Sequence, residues 1–178
     1  MQVLSKPDAA AHFDRILAKE VPGGRGLKAW DALLRAHATL LRQLETDLDS
    51  KTGLALADFD VLAQLAIAGG SLRMTELADR ALISRSGMTR RVTRLLHEGL
   101  VRRAHADADA RGVVVQLTNS GLDRLTVAAP VHIRGVSDLF LTKLDDQELA
   151  VLETALGQGH PRLHLWLRRR HRPLSSCS

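Results

Sequence analysis

Apolar residues recur at intervals of three or four positions through most of the chain, which is the period of an amphipathic helix. The longest repeat predicts a helix over about 27–50, and a second predicts one over about 57–68 that ends at a glycine pair. Apolar runs with β-branched residues occur at 101–104 and 113–117, joined by a polar link, as in a β-hairpin. The pattern therefore predicts a mainly α protein with one small hairpin.

Shorter repeats and capping residues predict the remaining helices. These are expected at about 9–18, 75–81, 86–98, 121–141 and 145–156. Asp58 is placed to cap the helix over 57–68, and Ser84 or Ser86 to cap the helix over 86–98. The polar segment 118–120 can cap the helix that follows the hairpin. Pro130 is expected to interrupt or bend that helix, because proline cannot donate a backbone hydrogen bond.

The composition of the chain indicates the cellular compartment in which the protein acts. The single cysteine, Cys177, cannot form an internal disulfide, which favours a reducing compartment. No apolar run approaches the roughly 18–20 residues needed to span a bilayer. The first residues, MQVLSKPDAAAHFDR, lack the basic-then-apolar order of a secretory signal. We therefore expect a cytoplasmic protein that does not enter a membrane.

The positive charge is informative only when it is divided along the chain. The formal net charge is +5, but 161–178 contains five arginines and no acidic residue, so the rest of the chain is neutral. Between Arg73 and Arg111 there are nine arginines, no lysine and five acidic residues, a local net charge of +4. Such a concentration of arginine is typical of a surface that binds the phosphates of duplex DNA.

The predicted helix over 86–98 has two chemically different faces. Its apolar side carries Met88, Val92, Leu95 and Leu96, and the other side carries hydroxyl and guanidinium groups. Arginine donates two hydrogen bonds to a guanine edge, and serine or threonine contacts phosphate or base. The alternative is an amphipathic helix whose arginines are only solvated. The short link to the preceding helix favours a helix-turn-helix. We predict DNA contacts from Thr75, Ser84, Arg85, Ser86, Thr89, Arg90, Thr93 and Arg94.

The sequence that follows this helix resembles one protein family. Residues 109–118, DARGVVVQLT, meet the pattern D-x-R-x-x-x-V-x-L-T at every fixed position, and Gly121 extends the match. Together with the preceding SRSGMTRRVTRLLHEGLVRR, the segment is similar to winged helix-turn-helix regulators of the MarR family. The resemblance implies a winged helix-turn-helix lobe with a helical dimerisation region. It also implies that Arg111 enters the DNA minor groove, with Asp109 positioning it.

The resemblance also implies a division of the chain and a homodimer. The predicted parts are an N-terminal extension (1–26), a first dimerisation helix (27–56), the DNA-binding lobe (57–118), C-terminal dimerisation helices (119–160) and a basic tail (161–178). Apolar residues within 131–141 and 149–156 fit such an interface. Two copies would place two recognition helices about one DNA turn apart, so we expect a pseudo-palindromic operator in double-stranded DNA.

Regulators that this chain resembles release DNA when a small anionic aromatic compound binds between the DNA-binding lobe and the dimerisation helices. The candidate ligand-binding residues here are Trp30, His37, Arg73 and His132. Each has a structural alternative, since Trp30 can be a packing residue and the two histidines can cap helices or line the dimer core. The N-terminal extension resembles that of the urate-responsive branch, which adds purines to aromatic acids as candidate effectors.

Three function classes remain at this point. The first is a ligand-responsive dimeric repressor, and the second is a constitutive or architectural DNA-binding protein of the same fold without an effector. The third, an enzyme with an accessory winged helix, is disfavoured because no catalytic motif, cofactor loop or second domain is found. The hairpin residues His105, Asp107 and Asp109 lack the closed shell of a metal site. The basic tail is expected to be solvated, or to contact DNA phosphates, an acidic partner or a membrane surface.

Overall fold

The computed structural model of the chain describes residues 6–105 and 113–157, so the tail and Asp107, Asp109 and Arg111 of the predicted wing lie outside the described residues. Within those two ranges the elements alternate helices with three short strands. In chain order they are α1 (Lys6–Glu20), α2 (Leu27–Thr52), α3 (Leu56–Ile67), β1 (Ser71–Arg73), α4 (Met74–Arg80), α5 (Arg85–His97), β2 (Val101–His105), β3 (Val113–Leu117), α6 (Asn119–Leu139) and α7 (Asp146–Gly157). Single 3-10 turns occur at Pro22–Gly24 and Leu141–Lys143. The prediction of a mainly α fold with a small β element is confirmed.

The chain divides into two compact units within α2, Met1–Gln43 and Leu44–Ser178. The first unit consists of α1 and the first part of α2, and no residue of 8–43 is buried. Its exposed large apolar side chains are Phe13, Ile16, Trp30, Leu33, Leu34 and Leu41. Residues 8–43 by themselves therefore form no apolar core.

The second unit contains a continuous aliphatic core. The end of α2 contributes Leu48, which is fully buried. The other large side chains that are fully buried are Val61, Leu62, Leu65, Leu77, Met88, Val92, Leu95 and Val115. They come from α3, α4, α5 and β3, so burial of apolar surface joins the helices to the sheet. Among the described residues, no helix combines the length and the apolar character that crossing a membrane would require.

The sheet has three antiparallel strands in the order β1-β3-β2. Strands β2 and β3 form the hairpin that the sequence predicts, and their pairing runs from Val101 with Leu117 to His105 with Val113. The third strand, β1, pairs Leu72 with Val115 on the other edge of β3. Because β1 has only three residues, its alternation is too short to be read from the sequence.

The junction between the sheet and α6 depends on Thr118 and Gly121. The Thr118 hydroxyl caps α6 by accepting a hydrogen bond from the Gly121 backbone N–H at 3.0 Å, as predicted for this segment. The same hydroxyl donates to the Gly99 carbonyl oxygen at 2.8 Å. A Cβ at Gly121 would lie 2.1 Å from the Leu100 carbonyl oxygen. Only glycine therefore allows α6 to begin this close to the backbone after α5.

Two sequence predictions about helix ends are wrong. Asp58 does not cap α3, whose N-cap is Ala55; its carboxylate is buried and paired with arginines of α5. The expected interruption of α6 at Pro130 is also wrong, because the helix continues through Pro130 to Leu139; the alternative expectation of a bend there stays a prediction. Ala128 is buried and Val131 packs against the core, so tertiary packing on both sides of Pro130 offsets the missing backbone hydrogen bond.

Candidate nucleic-acid interface

Helices α4 and α5 form a helix-turn-helix with a four-residue link, 81–84. In this turn the Ile83 N–H donates to the Ala78 carbonyl oxygen at 3.1 Å, which closes the end of α4. Helix α5 then begins with Ser84 as its N-cap, and the Ser84 hydroxyl accepts from the Gly87 N–H at 3.1 Å. A Cβ on Gly87 would lie 2.8 Å from Cγ2 of Ile83, so this start of α5 favours glycine.

The two faces of α5 differ as the sequence predicts. Met88, Val92 and Leu95 are buried, which anchors the helix to the core. The polar side chains that were expected on the opposite face, and Thr89 at its edge, are exposed: Ser86, Thr89, Arg90, Thr93, Arg94 and His97. The helix therefore presents hydroxyl and guanidinium groups on a surface whose position is set by a well-packed apolar face.

A buried carboxylate on α3 holds two arginines of α5. Asp58 is 2% exposed, and its carboxylate forms an ion pair with the Arg94 guanidinium. Nη1 of Arg91 lies 3.5 Å from Oδ1 of the same carboxylate. Because an unpaired buried carboxylate is costly, these arginines make the burial of Asp58 tolerable. The pairing ties α5 to α3 and occupies Arg94, which the sequence alone had placed among the DNA contacts.

Two further acidic groups interact with the same region of α3. Burial raises the pKa of the Asp60 carboxyl; Arg91 acts in the opposite direction, and Glu45 adds to the rise. The Glu45 carboxylate accepts a hydrogen bond at 2.9 Å from the Leu56 N–H, at the first turn of α3. A carboxylate at a helix N-terminus is favourable because it satisfies a free backbone donor. Acidic groups of α3 thus interact with arginines of α5, and Glu45 of α2 interacts with the start of α3.

Comparison with known proteins agrees with this geometry. The model of the MarR family matches residues 52–112, a segment that includes α3, α4 and α5. The HTH-type transcriptional repressor YetL of Bacillus subtilis is 30% identical over 115 residues, which cover 64% of this chain and 68% of that protein. The chain belongs to the MarR family.

Solved structures of MarR-family regulators share the fold. AbsC from Streptomyces coelicolor is 28% identical, with a TM-score of 0.71 over 92% of this chain and 99% of AbsC. Sco3205 from the same organism, solved in complex with DNA, is 27% identical, with a TM-score of 0.67 over 85% of this chain and 91% of Sco3205. This MarR-family chain is a DNA-binding transcriptional regulator and not an enzyme, as the sequence indicates.

The predicted DNA contacts of this MarR-family chain lie mainly on its helix-turn-helix. Thr75 is exposed in the first turn of α4, and Ser84 is exposed just before α5. The hydroxyls of Thr89 and Thr93 each donate to a carbonyl oxygen one turn earlier in α5, at 3.0 and 2.9 Å. The sequence missed Asp58 because its arginine partners are far along the chain, with Arg91 33 positions away.

The four predicted ligand-binding residues fall in different parts of the chain. Trp30 and His37 belong to the first unit, where both are exposed on α2 two turns apart. Arg73 and His132 belong to the second unit; Arg73 is exposed at the end of β1 and His132 is half-buried on α6. The His132 ring lies 4.5 Å from the Phe59 ring between centroids. Burial lowers the pKa of His132, and its Nδ1 is buried without a hydrogen-bond partner.

Proposed function

We propose that this regulator is a homodimeric repressor that binds a pseudo-palindromic operator and releases it when a small anionic aromatic ligand binds. The observation that carries the proposal is the exposed polar face of α5, held in place by the buried face of the same helix. A recognition helix fixed in this way can enter the major groove without unfolding its own lobe. A regulator of this kind would act in the cytoplasm, together with its DNA.

The arginines of α5 take different roles in this proposal. Arg90 is exposed and can donate two hydrogen bonds to a guanine edge. Arg94 is half exposed but is paired with the buried Asp58, so we assign it to positioning α5 rather than to reading a base. Thr89 and Thr93 lie on the Arg90 side and can exchange their hydrogen bonds within the helix for DNA oxygens. Arg111 and Asp109 keep their predicted minor-groove role.

The proposed homodimer would cover apolar side chains that the single chain leaves in water. In the first unit these include Phe13, Trp30 and Leu34, which are 59%, 59% and 47% exposed. In the second unit the exposed apolar residues of the last two helices are Leu122, Val127, Ile133, Val151 and Leu156. Each group contains several exposed apolar side chains rather than a single one. Burial against a second copy would remove their apolar surface from water.

The ligand part of the proposal rests on Trp30, His37, Arg73 and His132. Exposed aromatic and cationic groups can stack on an aromatic ring and pair with a carboxylate. His132 adds an imidazole whose buried Nδ1 has no hydrogen-bond partner, so a ligand that reached it could supply one. By population shift, a ligand that binds better to a conformer with wrongly spaced recognition helices lowers operator affinity.

A fluorescence-anisotropy titration tests the proposal. Operator duplexes would first be selected from a randomised library, and the dissociation constants of selected and random duplexes would then be compared at fixed salt. We expect the selected duplex to bind at least about a thousandfold more tightly. Equal affinity for both would exclude a sequence-specific repressor.

Addition of phenolates, aromatic carboxylates and purines to the same titration tests the effector. We expect one of these classes to raise the operator dissociation constant by about 5–150-fold. If no compound changes the operator dissociation constant, the chain is a constitutive regulator of the same fold.

The mass of the free protein in sedimentation equilibrium tests the proposed dimer independently of DNA.

A further inference from the structure

The turn of the helix-turn-helix contains a backbone conformation that its residue type disfavours. Leu82 has φ = 54° and is the one non-glycine residue with positive φ in 6–105 and 113–157. The conformation is required, because Ala81 and Ile83 donate to Leu77 and Ala78 and thereby close α4 around residue 82. A branched side chain in this left-handed region is strained.

The same chain uses glycine where other helices end in this way. Gly53 follows α2 with φ = 65°, Gly69 follows α3 with φ = 85°, and Gly99 follows α5 with φ = 71°. Leu82 is therefore a departure from the chain's own usage. Its side chain does not explain the departure by packing, since it is 85% exposed, the largest exposed fraction among the exposed large apolar residues. An apolar group that is both strained and in water indicates a contact outside the chain.

The position of Leu82 identifies that contact. It lies two residues before Ser84, the N-cap of α5, and two residues span at most about 7 Å. The residues that follow it, Ser84, Arg85 and Ser86, are exposed and polar. The N-terminal end of a recognition helix is the part that meets base edges in the major groove. There the thymine 5-methyl group is the apolar feature of a base pair that an aliphatic side chain can recognise.

We propose that Leu82 packs against the 5-methyl group of a thymine in each operator half-site and so helps to determine sequence specificity. The proposal rests on the proposed function, since it requires a specific operator. This contact between an aliphatic side chain and a methyl group would add sequence specificity at the N-terminal end of α5. Arg90 and the threonines would contact DNA further along the helix.

A thymine-to-deoxyuridine scan tests this contact, because deoxyuridine lacks only the methyl group. Each thymine of the selected operator would be replaced in turn, symmetrically in both half-sites, and the dissociation constant measured for the wild type and for Leu82→Asn. Asparagine tolerates the left-handed conformation but is polar. Leu82→Met is the matched apolar variant, and thermal unfolding checks that each variant is folded.

We expect one symmetric thymine position at which deoxyuridine weakens wild-type binding about fifteenfold, on the order of fourfold for each of the two half-site methyl groups. Leu82→Asn should bind the unmodified operator more weakly by a similar factor and lose no further affinity at that position, whereas Leu82→Met should keep the discrimination. The proposal is overturned if the deoxyuridine penalties of the wild type and Leu82→Asn agree at every thymine. It is also overturned if Leu82→Asn changes the dimer mass and not the methyl dependence. Failure to select any operator would instead refute the proposed function.

Discussion

The two units of the molecule treat similar apolar side chains in opposite ways. In the second unit, leucines such as Leu62 and Leu95 are fully buried in a core shared by helices and sheet. In the first unit, Leu33, Leu34 and Leu41 also lie on an α-helix, but they are between 41% and 47% exposed. Sequence periodicity is similar in both, so periodicity shows that a face is apolar but not what covers it. The difference supports our proposal that the second unit reads DNA with its own core and that the first contacts a second copy.

The largest expected effect is on stability, and it comes from replacing one leucine by alanine in each unit in turn. Leu95→Ala should lower the free energy of unfolding by about 2–5 kcal/mol, because a fully buried side chain is replaced by a cavity. Leu34→Ala should leave the unfolding of the second unit unchanged and instead raise the dimer dissociation constant. Chemical denaturation and sedimentation equilibrium measure the two effects. A stable Leu95→Ala protein, or a Leu34→Ala protein that stays fully dimeric at all concentrations, would remove the contrast between the units.

The next effect concerns the inner side of α5. Asp58→Asn should cost about 1–2 kcal/mol of stability, less than an orphaned buried charge, because both arginines can hydrate once the carboxylate is gone. Operator affinity should fall as well, since α5 loses its tie to α3. Asp123→Asn, an exposed change of the same type on α6, is the control. Unchanged stability and operator binding in Asp58→Asn would show that this cluster does not position α5.

Local signals account for the parts of the fold that the sequence predicted. The caps of α5 and α6 were narrowed to Ser84 or Ser86 and to 118–120 because a cap is defined by a few neighbouring residues; Ser84 and Thr118 accept the backbone hydrogen bonds. The strand β1 was missed because its three residues form a strand only through pairing with β3. Asp58 was misread as a helix cap because its real partners come from another helix. Contacts with residues distant in the sequence, and not local propensity, determine the structure at β1 and at Asp58.

A smaller effect is expected from pH. Burial lowers the pKa of His132 in the folded chain, so below about pH 6.5 the unfolded state binds more protons than the folded state. Stability should therefore fall as pH decreases from about 6.5 through the lowered pKa, and it should be unaffected by His132 above that range. His132→Asn should flatten this part of the curve of unfolding free energy against pH, relative to His12→Asn on exposed α1. An identical slope in the two variants would show that another group is responsible.

The most direct test of the central claim is the operator affinity of Arg90→Ala beside Arg35→Ala. Both changes remove one guanidinium, but Arg35 belongs to the first unit, where it pairs with Asp31 on α2. Arg90→Ala is expected to weaken binding to the selected operator by about 1–3 kcal/mol and to reduce its preference over random duplexes. Arg35→Ala should bind both duplexes as the wild type does. If Arg90→Ala keeps wild-type affinity and preference, the exposed face of α5 is not the surface that reads DNA.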